Sequence, residues 1–193
     1  MTARITSLIH ASTASILRMA LLSSLVTAAP LFAADSAANK HSAHEQPAPA
    51  NLVQLVRDGT KKYIDVNNAT AAGYGPFLGC VAGTDHGAMG IHYVNGTLLG
   101  NLTLDPSQPQ ALIYEPSNGK MTLVGVEFIL DSASWLAANN NTPPVLEGQV
   151  FNFVGAPNRF NINSFFELHV WAWRDNPQGA FVDWNNWVSC DKQ

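Results

Sequence analysis

The stretch Phe165 to Trp173, FFELHVWAW, constrains the fold more than any other part of the chain. With the two-residue period of a strand, Phe165, Glu167, His169, Trp171 and Trp173 share one face, and Phe166, Leu168, Val170 and Ala172 take the other. Both faces are mainly apolar, which predicts a central strand covered on both sides. Glu167 and His169 are then carried into apolar surroundings. An isolated carboxylate or imidazole is costly there, so each must be paired, neutralised or bound to a metal. Neighbours two apart on one strand face lie about 7 Å apart, so the two side chains converge on a shared ligand more readily than on each other.

Two further acids lie inside apolar runs. In Ala111–Glu115, Ile113 and Glu115 share a face; in Met121–Leu130, Glu127 shares one with Leu123, Gly125 and Ile129. Gly125 would leave room beside Glu127 for something bulky. The glycine-bearing run Asp85 to His92, DHGAMGIH, lets the backbone approach a ligand closely and offers His86 and His92. The candidate metal set is therefore His86, His92, Glu115, Glu127, Glu167 and His169, whose N and O donors suit zinc, manganese or ferrous iron. The same residues serve general acid–base catalysis as an alternative, since burial beside another acid drives carboxylate pKa values apart. A third reading is structural: a buried hydrogen-bond network in which glutamates cap loop amides and His169 is satisfied by Glu127 or Glu115. No His-Glu-x-x-His helix, Gly-x-Ser-x-Gly elbow or phosphate loop is present to decide among them. Trp171 and Trp173 are candidates to wall a small-molecule pocket, although tryptophans also fill small cores.

Around this stretch the chain reads as α+β. Asn51 to Ala72 has helical spacing, as one helix or two joined at Gly59, with Asn51 as N-cap; Gly73, Gly75 and Pro76 stop it. Strands are expected near Gly90–Val94, Thr97–Leu102, Ala111–Glu115, Met121–Leu130, Gly148–Val154 and Phe165–Arg174. Asn95-Gly96 and Ser117-Asn118-Gly119 read as hairpin turns. A short helix starts at Asp131 or Ser132. The expected architecture is an N-terminal helix packed on a curved antiparallel sheet, as a single domain over residues 51–193.

The chain's start points to export. Arg4 and Arg18 precede the nearly uncharged run Met19 to Phe32, and Ala33 and Ala34 offer a cleavage point, so residues 1–33 read as a signal peptide. The apolar run is shorter than the roughly 20 residues that span a bilayer, and Pro30 interrupts it, so no stable membrane insertion is expected after cleavage. Residues 34–50, polar and proline-bearing, read as a disordered leader. Losing Arg4 and Arg18 from the ten basic residues leaves eight against 14 acids, a net charge of −6 with neutral histidines, and no basic stripe for nucleic acid. Cys80 and Cys190 are the only cysteines, an even count that predicts a disulfide in a periplasmic or secreted protein.

The runs GCVAGTDHGAMGIHYVN (Gly79–Asn95), ALIYEPSNGKMTLVGVEF (Ala111–Phe128) and FELHVWAWRDNPQGAFVDWNNWVSC (Phe166–Cys190) resemble a family of exported bacterial proteins of unknown function. The family pattern has Asn-Pro where this chain has Asn185-Asn186. The resemblance implies export and a single domain and carries no activity with it.

Overall fold

The computed structural model describes residues 49–192; the expected signal peptide and nearly all of the expected leader lie outside the described residues. Helix α1 (Pro49–Thr60), a 3-10 turn (Lys61–Ile64) and helix α2 (Val66–Ala71) come first. The helical run thus begins two residues before Asn51, which is not its cap. It breaks near Gly59, where a Cβ would lie 2.6 Å from the Cβ of Ser107. Asp65 caps α2, its carboxylate accepting from the Asn67 amide at 2.9 Å.

The strands are β1 (Tyr74–Ala82), β2 (Ala88–Asn95), β3 (Ala111–Ser117), β4 (Lys120–Asp131), β5 (Val145–Leu146), β6 (Gln149–Val150), β7 (Asn152–Val154) and β8 (Phe165–Val170). All but β5 and β6 form one antiparallel sheet in the order β1-β2-β3-β4-β8-β7. The sheet is open, with β1 and β7 at its edges, and β8 occupies the interior position that its two apolar faces require. Strand β1 has no counterpart in the sequence reading, because Gly75, Pro76 and Gly79 look like breakers. At an edge, proline is tolerated.

Where a strand was expected over Thr97–Leu102, the chain forms helix α3 (Gly96–Leu99). The Asn95 side-chain oxygen accepts from the amides of Thr97 and Leu98 at 3.0 and 3.2 Å, so Asn95-Gly96 starts a helix instead of turning a hairpin. Helix α4 (Ser132–Ala138) does begin as expected, with Asp131 accepting from the Ser134 amide at 2.8 Å. The Asn118-Gly119 turn joins β3 to β4.

One face of the sheet contributes Leu112, Tyr114, Leu123, Val126, Phe128, Leu130, Phe166, Leu168 and Val170 to a core that also holds Leu52 and Val56 of α1. Tyr114 donates from its hydroxyl to the Tyr63 carbonyl at 2.6 Å, tying that core to the helical segment. Leu123 belongs to this face and not to that of Glu127. An irregularity at Val124, where Ile113 pairs with Gly125 but Tyr114 pairs with Leu123, switches the alternation of β4.

Strand β8 ends at Val170 rather than Arg174, and the chain then folds back over the other face of the sheet. The Trp171 amide donates to the Ala180 carbonyl at 2.9 Å, and the Trp173 amide to that of Val124 at 3.0 Å. Trp171, Val188, Ala88, Ile113 and Val124 form a second, smaller core beneath this returning segment. Cys80 and Cys190 form the expected disulfide, which fastens the segment to β1. Among the described residues no helix is long and apolar enough to cross a membrane.

Candidate metal centre

The second face of the sheet carries the polar cluster. Glu127 on β4 pairs directly with His169 on β8 and, on its other side, with Ala111 on β3. Ala111 is the smallest chiral side chain available at that point. The space above it lets His92 reach across from β2, placing its Nε2 3.2 Å from Glu127 Oε2. Glu167 follows on the same face of β8, opposite Ile129. His92, Glu127, Glu167 and His169 are all buried, with His169 only 1 % exposed.

The returning segment adds a residue that the sequence reading missed. Asp183 comes to 3.7 Å from His169 Nδ1. It lies in irregular backbone, where no strand or helix period could place it. Its one sequence signal was being an acid between Val182 and Trp184 in an aromatic-rich tail.

Donor atoms of His92, Glu127 and His169 lie within 4.8 Å of one another, and so do those of Glu167, His169 and Asp183. His169 belongs to both groups. Among the described residues neither of its ring nitrogens has a hydrogen-bond partner, and the 3.7 Å approach of Asp183 is too long for one. The expectation that Glu127 or Glu115 satisfies His169 therefore does not hold. Four donors around zinc at about 2.0–2.2 Å stand roughly 3.4 Å apart, so this buried His/Glu group has the geometry to hold a metal after closing by about an ångström.

Charge is distributed unevenly over the cluster. Burial pushes the Glu127 carboxyl up, but His169, His92 and a hydrogen bond from Glu167 outweigh it and hold the group down at about 2. Glu167 goes the other way: burial first, then the Glu127 carboxylate and then Asp183, push it up to about 10. Burial lowers the His169 pKa; Glu127 opposes that shift, His92 reinforces it and Asp183 opposes it. At neutral pH Glu127 is ionised, Glu167 is protonated and His169 is neutral, which is the ligand form of imidazole.

A cavity of about 40 Å³ opens onto this centre. His92 and Glu127 line it, and Val81, Val94, Ile129 and Phe165 form its walls. Phe77 and Leu78 of the edge strand, both exposed, also line it, as do Phe160 and Ile162 from the loop before β8. His169 lies beneath, outside the lining.

No protein-family model, curated protein or solved structure matches this chain. The ground for assigning function is accordingly the site's own chemistry.

The remaining candidates lie elsewhere. His86 is exposed, with its ring 6.3 Å from that of Trp184, because it sits in the bend over residues 84–86 that precedes β2. Glu115 sits on the same face as the cluster but further along β3. There it pairs with Arg174 and accepts from the Ser189 amide at 3.0 Å, anchoring the returning segment. Trp171 is buried against the cluster, its ring stacked at 24° on His169 and its Nε1 donating to the Val182 carbonyl at 2.6 Å. The bulky group for which Gly125 leaves space is this indole: a Cβ at 125 would lie 3.2 Å from its Cε3 and 2.9 Å from the Val170 carbonyl oxygen. Trp173 lies on the opposite side of the sheet, where Nε1 donates to Thr60 Oγ1 at 3.1 Å. The early end of β8 breaks the alternation that would have kept it with Trp171. Neither tryptophan lines the cavity.

Proposed function

We propose that this domain binds one divalent transition-metal ion through His92, Glu127 and His169, in a site that keeps a position open for a further ligand. The observation that carries the reading is His169, a nearly inaccessible imidazole with no hydrogen bond at either nitrogen, within donor distance of a second histidine and an ionised glutamate. A metal ion relieves the cost of that arrangement. Two imidazoles and one carboxylate suit zinc with a free fourth position, or ferrous iron or manganese with more. Asp183, 3.7 Å from His169 Nδ1, is placed to close on it as the outer carboxylate that orients a ligating imidazole when the ion binds. The cavity bordered by His92 and Glu127 supports an open position, which distinguishes the site from a closed structural one. The disulfide fits an oxidising compartment, in keeping with a periplasmic or secreted location.

Total metal analysis of the untagged full-length protein, after exposure to zinc, manganese or anaerobic ferrous iron, tests the proposal. About one equivalent is expected, lost in His169→Ala and kept in Glu115→Gln. Wild-type protein that retains no metal above background under any of these conditions would overturn it.

An acid–base enzyme is the second reading, favoured by one observation: Glu127 and Glu167 are driven to opposite protonation states at neighbouring positions. It takes precedence if the metal is absent and the wild-type cluster is nonetheless reactive toward a substrate.

A further inference from the structure

Resting on the metal reading, we infer that the open position takes the carboxylate of a short aliphatic acid, whose hydrocarbon end fills the adjoining cavity. Three features of the cavity select that class. The first is polarity: among the described residues, His92 and Glu127 are the only polar side chains of its lining, and both are committed to the ion. A sugar, nucleotide or peptide would bring hydroxyls or amides into walls made by Val81, Val94, Ile129 and Phe165, where no partner meets them. The ligand must concentrate its polarity in one group, placed at the metal.

The second feature is charge. A divalent ion held by one carboxylate and two imidazoles retains a net positive charge, and among the described residues no lysine or arginine lines the cavity to bind an anion in its place. An anionic oxygen donor completes the coordination and neutralises the centre. Without the metal, the same acid would meet the Glu127 carboxylate and be repelled. Binding of the acid is therefore conditional on the ion.

Size is the third. A water needs roughly 10–15 Å³ of such space, so the cavity of about 40 Å³ accepts about three water-sized groups. That corresponds to a propyl chain, with longer tails running past the exposed lining residues Phe77 and Ile162.

The test uses the full-length protein loaded with cobalt(II), whose visible absorption reports its ligands, titrated with butyrate and in parallel with acetate, butyramide and glucose. Butyrate should change the cobalt spectrum saturably. Acetate, two methylenes shorter, should bind at least about tenfold more weakly, and butyramide and glucose should leave the spectrum unchanged. Val94→Phe, which fills the cavity from β2, should keep cobalt and lose at least about tenfold in butyrate affinity. A cobalt-loaded protein indifferent to butyrate, or a Val94→Phe variant that binds it as well as wild type, overturns the inference and leaves the metal reading standing. Failure to take up cobalt overturns both. Butyrate bound equally by metal-free protein, followed by NMR, removes the dependence on the ion and overturns the inference as stated.

Discussion

Glu127 and His169 face each other directly across the ladder between β4 and β8, both nearly inaccessible to solvent. Directly opposed side chains on one sheet face sit about 4.5–5.5 Å apart at Cβ, so this pairing is a fixed part of the fold and not a chance meeting of mobile groups. A substitution at either position changes the partner's environment at once.

Glu127→Gln keeps the shape of the side chain and removes its charge. Metal affinity should fall by at least about tenfold, because a coordinating carboxylate is lost. Asp183→Asn should weaken binding about 10- to 100-fold, the range found for partners that orient a ligating imidazole. Competition against a chromogenic chelator measures both. Equal affinity in wild type and Glu127→Gln would remove Glu127 from the ligand set.

The stability of metal-free protein should depend on pH through Glu167. Its folded-state pKa is raised to about 10 from an ordinary value of 4.5. Between those values the folded chain holds a proton that the unfolded chain has released, so this group's contribution declines as pH rises through that window. Glu127, held at about 2, acts oppositely: its contribution is present above pH 4.5 and is lost as pH falls toward 2. Urea denaturation in EDTA should show Glu167→Gln losing less stability than wild type between pH 5 and pH 8, by about 1 kcal/mol or more. Parallel pH profiles for the two proteins would contradict this.

Gly125→Ala should destabilise the domain by about 1–3 kcal/mol, the usual cost of overpacking. The added methyl meets the Val170 carbonyl oxygen at 2.9 Å and the Trp171 ring at 3.2 Å. Since Trp171 stacks on His169, the indole's tryptophan fluorescence and the metal affinity should both change. A variant with wild-type stability would show that the strands separate more freely than their pairing suggests.

Trp173→Phe should behave differently from any change at the metal centre. It removes the hydrogen bond to Thr60 on the helix side of the sheet, at a cost of about 0.5–1.5 kcal/mol. Metal content should be unaffected. A loss of metal with intact stability would return Trp173 to the site.

What could be read from the sequence was whatever regular backbone controls. The period of two along β8 put Glu167, His169 and Trp171 on one face and Leu168 and Val170 on the other, as the structure has them. The disulfide, the start of a helix at Asp131 or Ser132 and the turn at Asn118 were equally legible. Misreadings arose where one local irregularity reverses a pattern. The irregularity at Val124 moved Leu123 to the other face, and the end of β8 at Val170 sent Trp173 away from Trp171. Asn95-Gly96 has the composition of a hairpin, but its asparagine spends its side chain on two helix amides. Asp183 was hidden because tertiary return, not periodicity, brings it to His169.

The strand order also ties the centre to the whole sheet. Strands β1 to β4 are sequence neighbours joined in succession, so His92 and Glu127 can be brought together by short-range steps. His169 enters only after the chain has passed through α4, β5, β6 and β7, and Asp183 only after the segment beyond β8 has doubled back. Glu127 lies 35 residues from His92 and 42 from His169, so no single hairpin carries the donor set: its geometry exists only when β2, β3, β4 and β8 are all paired, and the centre reports the integrity of the sheet as a whole.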